Sequence, residues 1–164
     1  MRVIISGSKR LGNIPKRPKP SDDEMRSLVD MQDFFRRRLL LLWKDWKDQY
    51  GPITEVVCEQ AVGISSIGIS LSMRITGRKA KEFKPNWMEN KNLAGIACVE
   101  DMARYADGGI FIVREGDWLQ RKLIKKLSDA GLPVMVDEWE PGTIDLMWPD
   151  LASASDEFAD LENR

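Results

Sequence analysis

The sequence predicts an α/β protein: a three-layer sandwich with helices on both faces of a five-stranded, mostly parallel sheet. Three observations predict it. Short apolar runs rich in β-branched residues, "RVIIS", "ITEVVC", "GIFIV" and "LPVMV", recur along the chain. Amphipathic helical stretches separate them, and parallel strands need such long crossovers. The run "GIFIV" is apolar throughout, as expected of a central strand covered on both sides.

The elements follow in order. "RVIIS" (2–6) is a first strand. The loop "KRLGNIPKRPKP" (9–20) holds five cations and three prolines, and the prolines forbid a helix there. "SDDE" (21–24) has the serine and glutamate of a capping box. Met25, Leu28, Val29, Phe35, Leu39, Leu42, Trp43 and Trp46 then recur at helical spacing, and "GP" at 51–52 stops the helix. Arg36, Arg37 and Arg38 on this helix read as a solvated face.

A second strand is expected over 53–58, a second helix over 61–76 and a short third strand over 79–84. Residues 85–92, "PNWMENKN", read as a loop, and 93–106 as a third helix. The fourth strand is 109–113, the next helix 117–131 with Asp117 as its N-cap, and the fifth strand 132–136. One domain spans 1–136. Residues 137–164 form an acidic extension, with Trp139, Leu146, Met147 and Trp148 docked on the body and the last dozen residues frayed.

Bulk composition narrows the function. The chain has 164 residues, enough for a single core, and no apolar run of membrane-spanning length. It lacks histidine, which removes the commonest general base, the usual triads and most zinc sites. Cys58 and Cys98 have no metal spacing and fit a reducing, cytoplasmic setting. Net charge is −1, but residues 137–164 carry nine acids and one arginine, leaving about +7 on the remainder. Such a tail is either a solvated appendage or a flap over a basic cleft.

Ligands of parallel α/β sheets bind at the carboxyl ends of the strands. After strand one, "SGSKR" offers the hydroxyls of Ser6 and Ser8, a close backbone approach at Gly7, and the cations Lys9 and Arg10. After strand two, "CEQAVGISSIG" places Cys58, Glu59 and Gln60 where glycines would admit a phosphate. Gly63 and Ser65 remain usable there. Glu59 is tolerable if it pairs with Lys9 or Arg10, or accepts hydrogen bonds from a ribose or base. Trp87 offers a stacking surface or a lid on a neighbouring helix. Arg114 and Gly116 come from the loop after strand four. Cys58 reads either as a reactive thiol or as an inert core residue.

These segments together carry a resemblance. "MRVIISGSKR", "GPITEVV" leading to Ala61 and Gly63, "KEFKPNW", "EDMARYADGGIFIV" and "AGLPVMV" stand in the order found in the YspA/YAcAr-like members of the SLOG superfamily. That group resembles the DNA-uptake protein DprA and the LOG phosphoribohydrolases. Over about 1–136 the resemblance implies a Rossmann-like fold and binding of a nucleotide or nucleotide-derived ligand. It implies no phosphoribohydrolase activity, because the "PGGxGTxxE" signature is missing. Cys58, Glu59 and Gln60 replace the usual Ser-Gly-Gly, Val62 the arginine and Ser65 the acid. Small divergent members are frequent in bacteriophages, so a phage protein is the expected source.

Three readings follow. The first is a non-catalytic module for a nucleotide-like small molecule, with no cofactor. The second is a degenerate domain acting on a protein partner, as a homo-oligomer or as an inhibitor of a host protein. The third is an enzyme using Glu59, Glu115 and Asp117. The basic loop also leaves a nucleic-acid partner open.

Overall fold

The computed structural model describes residues 1–151, apart from the side chains of Asn90 and Asn92. Five strands form one sheet: β1 (Arg2–Gly7), β2 (Glu55–Glu59), β3 (Lys81–Phe83), β4 (Gly108–Arg114) and β5 (Val134–Trp139). Every pairing is parallel and the order is β3-β2-β1-β4-β5. The expected mostly parallel sheet is therefore wholly parallel among the described residues. The helices are α1 (Asp22–Tyr50), α2 (Ile64–Thr76), α3 (Trp87–Asn90), α4 (Ala94–Tyr105), α5 (Trp118–Asp129) and α6 (Pro141–Met147). None is long and apolar enough to cross a membrane.

Strand alternation sorts the core into two halves. Val3, Ile5, Val56, Cys58, Ile110 and Ile112 face one side and pack under α1, α2 and α6. Ile4, Val57, Phe111 and Val113 face the other and pack under α4 and α5. This is the Rossmann-like three-layer sandwich.

Helix α1 runs the height of the sheet. The Ser21 hydroxyl caps it by accepting from the Glu24 N–H at 3.2 Å, and Asp22, Asp23 and Glu24 complement the positive end of its dipole. Leu28, Met31, Phe35, Leu39 and Trp46 form its buried stripe. Gln32 donates to the Gly12 carbonyl at the carboxyl end of the sheet (3.1 Å). Trp46 lies against Gly108 at the opposite end, where an added Cβ would stand 2.6 Å from its ring.

Several expectations change. Residues 85–92 are not an irregular loop: Asn86 accepts from the Glu89 N–H at 3.1 Å and nucleates α3, and a 3-10 turn (Lys91–Leu93) follows. Helix α2 starts at Ile64 rather than 61, because Gly63 at φ +80° breaks the helical path. Strand β5 continues past 136 to Trp139, paired with Arg114 of β4. Arg38 does not belong to a solvated face. Its guanidinium makes a bidentate contact with Asp137 (2.8 and 3.0 Å), which ties α1 to β5.

Beyond β5 the chain turns back over α1. Trp148 donates to Asp30 at 2.8 Å, and its ring meets Phe34 and Phe35 at centroid distances of 5.4 and 5.9 Å. Trp139 meets the same two rings at 5.3 and 5.5 Å. The frayed end expected from the sequence lies outside the described residues.

Neighbouring side chains in this segment differ sharply in what they hold. Trp148 is 3% exposed and Leu146 85% exposed. Trp148→Ala is expected to cost about 3–5 kcal/mol in urea unfolding, and Leu146→Ala less than about 0.5 kcal/mol. Equal losses would show that the segment does not pack on α1.

Candidate functional site

The candidate site is the rim formed by the carboxyl ends of β1, β2, β3 and β4. In chain order the strands run outward from β1 to β3, then return to the other flank of β1 for β4 and β5. The reversal falls between β1 and β4, the place where such sheets open a crevice.

Backbone packing closes the lower part of that crevice. A Cβ on Gly7 would stand 1.9 Å from the Ile112 carbonyl oxygen, and the Ser8 N–H donates to that oxygen at 2.9 Å. The Ser8 carbonyl accepts from the Ile64 N–H at 3.2 Å, which consumes one donor at the start of α2. Gly63 lets the two loops meet, since a Cβ there would stand 2.3 Å from the Ser8 oxygen.

Side chains fill what remains. Ser6 donates to Gln120 Oε1 at 2.9 Å. Having spent its only proton, it accepts from Ser65, whose Oγ lies 3.2 Å away. All three residues are buried, so this network joins α2, β1 and α5 across the switch point. The Ser8 hydroxyl accepts from the Arg10 N–H at 3.2 Å. Gln120 was invisible to sequence reasoning, because it looks like a polar position on an amphipathic helix.

The two unusual residues after β2 part company. Cys58 faces α2 and is fully buried, and burial pushes its thiol far above the ordinary cysteine range. It is an inert core thiol. Cys98 is likewise pushed up, to about 12, by burial and by the nearby Glu59 and Asp101 charges. Glu59 points to the opposite face, toward α4, and is 3% exposed. Burial raises its carboxyl above the ordinary 4.5, and the Lys9 ammonium pulls it back. The Lys9 charge acts on Glu59, but the expected close ion pair between the two does not form.

The loop after β4 is also self-satisfied. Asp117 does not cap α5 with its side chain; its carboxylate accepts from the Arg114 N–H at 2.8 Å. Gly116 takes φ +92° in this turn and is exposed. The rim residues that face outward are Gln60, Trp87 and Gly116, with Lys9 and Arg10 half-buried beside them. Trp118, at the first position of α5, joins them and was not singled out from the sequence. Among the described residues no cluster of acids and cysteines could hold a metal ion. Of the three acids singled out for acid–base work, Glu59 is buried toward α4, Asp117 accepts from the Arg114 N–H, and Glu115 is exposed.

Comparison with known proteins finds no matching family model, no matching curated protein and no matching solved structure.

Two outcomes test this geometry. Gly63→Ala forces a Cβ into the Ser8 backbone at a positive φ, and it is expected to destabilise the fold by at least about 1–3 kcal/mol. An unchanged melting temperature would mean that the two loops do not touch. Glu59 has a folded pKa above its unfolded value, so the folded state holds the proton more tightly. Its contribution to stability is therefore lost as pH rises from 4.5 through the folded value. Glu59→Gln is expected to be more stable than the parent at pH 7, the gap closing as pH falls below 4.5. Parallel stability curves from pH 4 to 8 would show a solvated, ordinary carboxylate.

Proposed function

We propose that the carboxyl-end rim binds a nucleotide or nucleotide-like anion on its outer surface, without catalysis. The observation that carries this reading is the reversal of strand order at β1/β4 directly beneath the Lys9–Arg10 loop, with Trp87 exposed on the same rim. Lys9 and Arg10 supply charge for a phosphate, and the Trp87 indole supplies a face for a base. Because Ser6, Ser8 and Ser65 are committed internally, the ligand lies above the crevice. The SLOG-like segments of the sequence favour the same ligand class.

Calorimetry of the full chain with mono-, di- and trinucleotide phosphates tests the reading. Stacking on an indole contributes about 1–3 kcal/mol, so Trp87→Ala is expected to weaken binding roughly 5- to 150-fold. Lys9→Glu is expected to weaken it further at low salt. No heat and no thermal shift across the panel would overturn it.

A second reading is a protein-interaction module, favoured by the large apolar side chains on this rim. Trp87, Met88, Leu93 and Trp118 are 59, 91, 63 and 64% exposed, more than scattered surface hydrophobics explain. A silent nucleotide panel, together with self-association that Met88→Glu abolishes in sedimentation, would favour this reading over the first.

A further inference from the structure

We infer that the free edge of β5 pairs antiparallel with the β5 edge of a second copy of this chain, joining two five-stranded sheets into one across a two-fold axis at Val136. The inference uses the flank of the sheet, and the ligand of the rim does not enter it.

The two edges of the sheet differ. β3, at one end of the strand order, has three residues, of which Lys81 and Glu82 are exposed. Short, charged edge strands resist pairing with another chain. β5, at the other end, has six residues, Val134–Trp139, with neither lysine nor proline among them. Val136, near its middle, is 41% exposed. This edge lacks the devices that keep a strand from acting as a template.

The hydrogen bonds already made fix which groups are free. The Pro133 carbonyl accepts from the Gly109 N–H at 3.1 Å, and the Trp139 carbonyl from the Glu115 N–H at 3.4 Å. Odd-numbered residues of β5 therefore turn their backbone groups toward β4. Val134, Val136 and Glu138 turn theirs to the open edge, and no other backbone or side chain among the described residues bonds to those groups.

One register suits a second copy. With Val136 opposite its counterpart, Val134 of each chain meets Glu138 of the other. The free N–H and C=O groups of all these residues then pair, since antiparallel strands exchange both bonds at alternate positions. An axis at Asp137 would set two aspartates face to face. An axis at Met135 would leave Glu138 opposite Leu132, whose N–H is already given to Leu127. The charges fit the register at Val136. Glu138 is paired with Arg121 and Asp137 with Arg38, and Asp137 lies across from Met135 rather than from another acid. A net charge of −1 on the whole chain adds little repulsion between copies. A strand from an unrelated protein would require no such symmetry about one residue.

Sedimentation equilibrium of the full chain and disulfide trapping test the inference. The parent is expected to be a dimer. Val136→Lys and Val136→Glu each place like charges on the axis and are expected to weaken the dimer at least about tenfold, and an equimolar mixture of the two to restore it. Hydrogen-bonded partners in an antiparallel pair stand about 5.5 Å apart at Cα, within reach of a disulfide, so Val136→Cys is expected to cross-link as a dimer under mild oxidation. Val134→Cys is expected not to, because its own counterpart is roughly 14 Å away. The native Cys58 and Cys98 are buried and do not compete. Circular dichroism melts matching the parent verify that the variants fold. A monomeric parent would overturn the inference, and so would a dimer that Met88→Glu breaks while both charged Val136 variants leave it intact. Equal trapping at positions 134 and 136 would overturn the register and the inference with it.

Discussion

Three stretches of backbone meet at the carboxyl end of β1 with no side chain between them, and the rest of the rim is arranged around that contact. Gly7 presses against the Ile112 carbonyl of β4, while Gly63 presses against the Ser8 carbonyl. Interiors are close-packed, so a methyl group at either place would have to move a strand or a helix. The contact fixes the start of α2 over β1 and sets the height at which Lys9 and Arg10 emerge. Without it the two loops would separate and the crevice at the strand reversal would be open.

The polar groups under the rim follow from the same closure. Once the loops meet, Ser6 and Ser65 lose access to water, and each must find a partner within the protein. Gln120 supplies one end of that chain. Glu59 is handled differently. Its charge is moderated by that of Lys9. Burying a carboxylate in this way costs stability, while the acid holds its cation at the rim by electrostatic attraction. The result is a floor satisfied within itself and a surface of cations and indoles above it.

Much of the architecture was legible in the residues. Strand positions came from apolar runs, and the capping box at Ser21 and the stop at Gly51 marked the ends of α1 to within a residue. What was not legible depended on partners distant in sequence. Arg38 looked solvated because Asp137, its counter-ion, lies 99 residues away. The loop at 85–92 hid a helical turn because its nucleus is a single side-chain contact from Asn86. At the site, the choice of loops could be read from strand order alone. Which side chains point outward could not, because the hydroxyls of "SGS" suit a ligand and an internal network equally well until Gln120 is seen beside them.

The aromatic cluster that fastens the chain end to α1 has a consequence for how the protein is made. Phe34 and Phe35 emerge from the ribosome about a hundred residues before Trp139 and Trp148, which shield them. Until then the first helix presents a greasy flank with nothing to lie on it. Contacts of such wide sequence separation slow the search for the final arrangement and lengthen the exposure of sticky surface. The nascent chain therefore depends on β5 and the segment after it to end this vulnerability to aggregation, and a protein truncated before Trp139 would leave the ribosome with that flank bare.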